Sequence, residues 1–275
     1  MCGRISLYSD PDYLARIFES QLGPDVRWDP GDDADALPSW NVPPTHSVLA
    51  VADVADVADV ADVAAVADEG DEGDATKGLH RELDRYRWGL VPFWAKDPSV
   101  GNRAFNARAE TVATKPTFQS AFAARRLVVV ADGFYEWRKG PGSDRQPFYF
   151  TRTDGQPLAL AGLWETWRGG PGATGPSGGR PFLRTCTVIT TTAGDDMGGI
   201  HDRMPVILER AVLDEWLDPD NDDVPDLESL LVPAESGTLV RRAVGRSVGN
   251  VRNDGPQLIE PVEEVEQIDL LGGIG

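Results

Sequence analysis

The chain is short of cysteine, histidine and lysine. In 275 residues there are two cysteines (Cys2 and Cys186), three histidines (His46, His80, His201) and four lysines (Lys77, Lys96, Lys115, Lys139). Two cysteines do not make a disulfide framework. Cys186 lies in the apolar run Thr185–Thr190 and is expected to pack as a small hydrophobe. Cysteine and histidine together are too few for a structural zinc site, so neither a metal nor another cofactor is expected. No run of 18 apolar residues is present, which excludes a helical membrane span and leaves the membrane out as a partner. The start of the chain lacks the charged-then-apolar pattern of a secretory signal. Lysine scarcity accompanies a net charge of −19 and a pI near 4.5. Taken alone, that balance argues against nucleic acid as a partner. It is also what a halophilic source would show, because concentrated salt screens self-repulsion.

What is present bounds the architecture. The apolar share of 41% suffices for a real core, and the length allows one large domain or two small ones. Charge is unevenly spread. Between Arg81 and Pro147 twelve basic residues face seven acidic ones, so a positive face on an acidic body is expected. The alternative is a scatter of solubilising arginines.

A helix is predicted after Asp10-Pro11, with Ser9 or Asp10 as cap, proline in the first turn, and Tyr13, Leu14, Ile17 and Phe18 at helical spacing. Trp40–Pro44 reads as extended and proline-stiffened, and Ser47–Val51 as a strand. Residues 51–76 form a Val-Ala-Asp repeat that degenerates into acidic residues, nine acids with no base before Lys77. This is read as a low-complexity surface insertion whose first residues extend the strand. Order returns at Tyr86–Trp94. Residues 106–124 look helical with a break at Pro116. Strands are predicted at Leu127–Ala131, Phe134–Arg138, Pro147–Thr151, Leu158–Trp164, Thr185–Thr191 and Pro205–Leu208. Residues 168–180 form a Gly/Pro-rich loop. Helices at Glu209–Leu217 and Asp226–Leu231 close the body. Many strands, few helices and no regular βαβ alternation indicate an α+β fold. One domain over 1–262 and a loose tail over 263–275 are expected.

The first four residues, Met1-Cys2-Gly3-Arg4, carry the chemistry of interest. A small residue after Met1 normally permits its removal, leaving Cys2 with an α-amine and a thiol on adjacent carbons. Their ordinary pKa values are about 7.7–8.0 and about 8.5. The amine can attack a carbonyl to give a Schiff base, and the thiol can then close a five-membered thiazolidine. Other stretches place polar groups where packing does not demand them. Asn106-Ala107-Arg108-Ala109-Glu110-Thr111 sits at a predicted loop-to-helix junction, where Asn106 is a helix cap or a site residue. Glu136 lies among the aromatics of Gly133-Phe134-Tyr135-Glu136-Trp137, facing outward or held in a site with a raised pKa. His201, in Ile200-His201-Asp202-Arg203-Met204-Pro205, is a core-capping histidine or an acid–base group. Phe93 and Trp94 beside basic residues belong to the core or stack on unpaired bases.

Together these stretches resemble the SRAP family (SOS response-associated peptidase-like, abasic-site processing proteins). The resemblance rests on Met1-Cys2-Gly3-Arg4, Trp40-Asn41-Val42-Pro43-Pro44, Arg87-Trp88-Gly89-Leu90-Val91-Pro92-Phe93-Trp94, Asn106–Thr111, Ala131–Trp137, Ile200–Pro205 and Val248-Gly249-Asn250-Val251, in family order. It implies a mainly antiparallel, curved, barrel-like sheet core with flanking helices. It implies a cytoplasmic, nucleoid-associated monomer whose partner is single-stranded DNA containing abasic sites. Cys2 would capture the abasic aldehyde as a thiazolidine crosslink. Asn106 would position the sugar, Glu136 would orient the amine and shuttle protons, and His201 would act as acid or base. Arg4, Arg108 and Arg203 would clamp phosphates. Pro44, Phe93 and Trp94 would bear on bases, with Thr190 in the same DNA-binding set. A peptidase activity, including removal of Met1, is also implied. Two other classes stay open: an N-terminal-nucleophile hydrolase of the glutamine amidotransferase type, and a non-enzymatic single-stranded DNA binding module.

Overall fold

The apolar runs of the sequence become the centre of a mixed, mostly antiparallel fold. The protein is described here by a computed structural model, which covers residues 2–26, 37–55, 78–140, 145–169 and 182–264. In chain order its elements are β1 (Ile5–Leu7), α1 (Pro11–Ile17), β2 (Gln21–Leu22), β3 (Ser39–Val42), β4 (Ser47–Ala55), β5 (Leu79–Trp88) and β6 (Asn106–Arg108). There follow α2 (Gln119–Ala124), β7 (Arg126–Ala131), β8 (Gly133–Lys139), β9 (Arg145–Arg152), β10 (Leu158–Trp167) and β11 (Leu183–Thr192). The described chain closes with β12 (Arg203–Pro205), α3 (Leu213–Leu217), α4 (Val224–Ser229) and β13 (Leu239–Ala243).

One sheet runs β13-β9-β8-β1-β3, and a larger one runs β12-β11-β10-β7-β4-β5-β2. In the larger sheet β11 also pairs in parallel with β5, at Thr185↔Arg87 and Cys186↔Trp88, so that this sheet curls back on itself. Alternation along β4 shows how two cores arise. Leu49 and Val51 join Leu14, Phe18, Phe122 and Trp216, which bring α1, α2 and α3 onto one face. Val48, Ala50, Ala52 and Val54 join Ile5, Phe134, Phe148 and Phe150 in the cluster that ties the two sheets together. Cys2 and Cys186 are both in that second cluster, fully buried. The helix predicted after Asp10 forms as α1, with the Asp10 carboxylate accepting the Asp12 and Tyr13 amides.

Arg126 anchors the helical side. It is 1% exposed, and its guanidinium donates to the carbonyls of Phe122, Ala123, Trp216, Asp218 and Asn221. The first four are carbonyls at the ends of α2 and α3 that no intrahelical amide can reach, and Asn221 lies in the turn beyond α3.

Three sequence expectations are corrected. Residues 106–124 are not a broken helix: Asn106–Arg108 is strand β6, which pairs in parallel with Val188–Thr190 of β11. A 3₁₀ turn follows at Ala109–Thr111, and only Gln119–Ala124 is helical. Asn106 is therefore not a helix cap. Order returns earlier than Tyr86, because β5 already begins at Leu79 and pairs with β4 through nine residue pairs. The strand predicted at Pro205–Leu208 lies instead at Arg203–Pro205, followed by a single bridge from Ile207 to Leu160. The Val-Ala-Asp repeat extends β4 to Ala55, and its remainder lies outside the described residues, as do most of loop 168–180 and the tail from residue 265.

Candidate functional site

The β1–β8 pairing brings the two ends of the proposed chemistry together. Ile5 faces Phe134, Ser6 faces Gly133, and the Arg4 carbonyl accepts the Tyr135 amide at 2.9 Å. Gly133 is required here, since a Cβ would enter the Tyr149 ring. Continuing the register carries the start of the chain to Glu136, whose charge bears on the Cys2 thiol. Asn106 Nδ2 donates to the Cys2 carbonyl at 2.6 Å, so β6 holds the start of the chain from the other side. The Asn106 Oδ1 is buried and accepts no hydrogen bond in the described structure.

Electrostatics at this point favour proton exchange. Glu136 is 3% exposed, and burial pushes its carboxyl up to about 7, against the positive charge at the chain's amino terminus. Burial, then the Glu136 charge, pushes the Cys2 thiol well above its ordinary range. His201 is shifted the other way: burial and the terminal positive charge lower its pKa, opposed by Asp202. Its Nδ1 accepts the Arg203 amide at 3.0 Å and lies 2.9 Å from the Asp202 carboxylate. Asp202's side chain is 90% exposed, so the amide is the steadier partner, and the neutral ring carries its proton on Nε2.

Two further groups, which sequence reasoning gave no role, shape the site. Glu110 takes the Arg203 guanidinium in a bidentate pair, at 2.5 and 3.0 Å, while Arg203 Nη2 also donates to the Thr190 carbonyl. This clasp fixes the His201 segment against the turn after β6 and against β11. Asn41 accepts from Arg4 Nη1 at 2.6 Å, and Val248 O accepts from the same nitrogen at 2.7 Å. The motifs containing Glu110, Asn41 and Val248 were visible in the sequence, but their partners lie 37 to 244 residues away.

The chain from the end of β5 to Lys115 exposes apolar and basic residues. Phe93 and Trp94 are 58% and 57% exposed, so they are not core. The Gly89 turn (φ +145) that leads to them packs against Gly101, where a Cβ would meet the Gly101 carbonyl. Trp94 also lines a hollow of about 190 Å³ with Val100, Arg103, Lys115 and Phe118. Lys96, Arg103, Arg108 and Lys115 are exposed and enter no ion pair among the described residues, whereas Arg81, Arg125 and Arg138 are neutralised by carboxylates. Pro44 is half-buried and precedes Thr45, which holds φ +75. That conformation is unfavourable for a β-branched residue. It is fixed by bonds from Thr45 N to Trp88 O and from Trp88 N to His46 O, each 2.8 Å.

The candidate residues thus separate. Asn106 bonds Cys2, the Glu136 charge bears on the Cys2 thiol, and His201 senses the same terminal charge as Glu136, while Arg108, Phe93 and Trp94 are exposed and Pro44 is half-buried. Arg4 and Thr190 are 8% and 0% exposed and serve as internal links, while Arg203 is committed to Glu110. Among the described residues no group of three His, Cys, Asp or Glu could hold a metal ion. No described helix is long and apolar enough to cross a membrane.

Comparison with known proteins identifies the family. The family model for SOS response associated peptidase (SRAP) matches residues 1–251. The Bacillus subtilis abasic site processing protein YoqW is 34% identical over 261 residues, covering 94% of this chain and 99% of the relative. The Escherichia coli abasic site processing protein YedK is 32% identical over 268 residues, covering 95% and 100% respectively. In fold, a crystal structure of a Bacteroides thetaiotaomicron protein superposes with a TM-score of 0.69 at 20% identity, covering 95% of this chain and 100% of that one. With the family model spanning nearly the whole chain and relatives above 30% identity covered end to end, the chain belongs to the SOS response associated peptidase (SRAP) family.

Proposed function

We propose that this protein processes abasic sites in single-stranded DNA by capturing the sugar aldehyde on Cys2. The observation that carries the reading is that Asn106, Glu136 and His201 all bear on the start of the chain at Cys2, in a protein that also exposes an aromatic and basic stretch. The relatives' names, abasic site processing protein, support the same substrate.

With Met1 removed, the Cys2 amine adds to the aldehyde carbon to give a carbinolamine. Loss of one water leaves an imine. The thiol sulfur then bonds to the imine carbon while its proton passes to nitrogen, closing a thiazolidine. The net change is one water lost and no oxidation or reduction. Glu136, at about 7, can take the ammonium proton and return it to the departing hydroxyl. Nε2–H of His201 can donate to the sugar's ring oxygen as the closed form opens. The raised thiol pKa keeps sulfur protonated until the imine is present, which orders the steps: amine first, thiol second. Asn106, fixed to the Cys2 carbonyl, holds the nucleophile, and its unpaired Oδ1 can accept from the amine or a sugar hydroxyl. Arg108 contacts phosphate, while Phe93, Trp94 and Pro44 pack against flanking bases. An extruded base need not be accommodated, since the lesion has none.

The test is a denaturing gel after incubation with single-stranded DNA carrying one abasic site, the same DNA with its aldehyde reduced to an alcohol, and undamaged DNA. A heat-stable adduct is expected with the first alone. Cys2→Ala retains an amine and can form only the reversible imine, so its heat-stable band should vanish. A band from the reduced DNA, or an undiminished band from Cys2→Ala, rejects aldehyde capture by the aminothiol.

A further inference from the structure

Asn41 lies on β3, is 3% exposed, and uses its whole side chain in hydrogen bonds. Its Oδ1 accepts from Arg4 Nη1 at 2.6 Å. Its Nδ2 donates to the carbonyls of Asn250 at 3.0 Å and Asn253 at 2.6 Å. Arg4 Nη1 also reaches the Val248 carbonyl, and the guanidinium stands 5.7 Å above the Trp137 ring. Among the described residues no carboxylate pairs with Arg4, and burial lowers its pKa. A buried guanidinium held by neutral groups is costly to the fold. This one sits two residues from Cys2.

We propose that Asn41 is a positioning residue for aldehyde capture, locking Arg4 and, through it, the Cys2-Gly3 lead to the body of the fold. The proposal rests on Cys2 being the nucleophile. Chain termini fray unless they are tied down. The lead is tied at the Cys2 carbonyl by Asn106, at the Arg4 carbonyl by Tyr135, and at the Arg4 side chain by Asn41 and Val248. Asn41 extends the third tie to residues 250 and 253, so the far end of the domain braces its start. The near-complete burial of Asn41 removes it from the DNA. Its loss therefore acts on the rate of bond formation and not on affinity. Misplacing a reacting atom by about 1 Å can cost about a hundredfold in rate.

The experiment compares wild type, Asn41→Ala, Arg4→Lys and the double variant. Crosslinking rate is measured at saturating abasic single-stranded DNA, and affinity with a tetrahydrofuran analogue that has no aldehyde. Each single variant should slow crosslinking about tenfold or more with affinity kept within about twofold. The double variant should be no slower than the worse single, because both break one connection. Asn41→Asp keeps the acceptor facing Arg4 but turns an oxygen onto the Asn250 and Asn253 carbonyls, so it should crosslink faster than Asn41→Ala and slower than wild type; Arg4→Lys decides the matter if Asn41→Ala does not melt cooperatively. The proposal is overturned if Asn41→Ala crosslinks at the wild-type rate, if the two losses multiply, if affinity falls as much as rate, or if Asn41→Asp is as slow as a fully disconnected variant. No adduct from wild type overturns the reading of Cys2 itself and this proposal with it.

Discussion

Replacing Glu136 by Gln should make the protein less active, and its stability relative to wild type should rise with pH. The carboxyl moves from an ordinary 4.5 to about 7 in the folded protein, mainly through burial. That displacement corresponds to about 3 kcal/mol of preference for the neutral form. The sign follows from proton binding. Between pH 4.5 and about 7 the unfolded chain has released this proton while the folded chain still holds it. The folded state binds more protons, so this group's contribution falls as pH rises through that window and levels off above it. A glutamine amide in its place has no such titration. The stability of Glu136→Gln relative to wild type should therefore rise by about 3 kcal/mol between about pH 4 and about pH 8. Any constant difference in hydrogen bonding cancels, since only the pH dependence is compared, and the other titrating groups are common to both proteins. Denaturant unfolding at several pH values measures the difference. On the activity side, losing a group that both takes and returns a proton should slow crosslinking by about a hundred- to ten-thousandfold. A stability difference that stays flat with pH would refute the buried-carboxyl account. Crosslinking at the wild-type rate would refute Glu136's part in the chemistry.

Other outcomes follow from the same geometry. Arg108→Ala should weaken single-stranded DNA binding evenly across sequences and reduce the slope of log affinity against log salt by about 1, as measured by fluorescence anisotropy; an unchanged slope removes Arg108 from the phosphate contacts. Arg126→Met strands four helix-end carbonyls and that of Asn221, and should cost about 3 kcal/mol or more in unfolding experiments. Replacing residues 56–77 by a short Gly-Ser turn should leave crosslinking within about twofold of wild type. The hairpin pair Ala55↔Leu79 is eight steps from Ser47↔Arg87, about 26 Å from the site end of the ladder. A large loss there would show that the acidic segment reaches the site.

How much of this was legible in the sequence depended on where each residue finds its partner. The runs at 127–131 and 185–191 announce strands because both of their faces meet apolar groups. The first half of β5 does not, because Glu82 and Asp84 are buried polar groups on one face. Both accept from Arg184 Nη1 at 2.8 Å, and burial raises Asp84 to about 6. A buried ionic row defeats hydrophobic patterning. β6 was hidden for a different reason: three residues, Asn-Ala-Arg, have no period of their own and become a strand only by joining β11. At the site, Cys2, Glu136 and His201 were singled out one by one for their chemistry. Their convergence depends on ladders and clasps across more than a hundred residues, and only the family resemblance signalled it. Asn41 and Glu110 stood inside quoted motifs with no role, since a hydrogen bond to a distant backbone carbonyl or guanidinium leaves no local trace.

The central claim is that the terminal aminothiol of Cys2 condenses with the abasic aldehyde. Intact-protein mass spectrometry after mixing with single-stranded DNA bearing one abasic site tests it most directly. The account predicts a species equal to the protein without Met1 plus the oligonucleotide less one water, absent from Cys2→Ala and from undamaged DNA. Protein that has lost Met1 and yet shows no such species at working salt, or an adduct that keeps Met1, would contradict it.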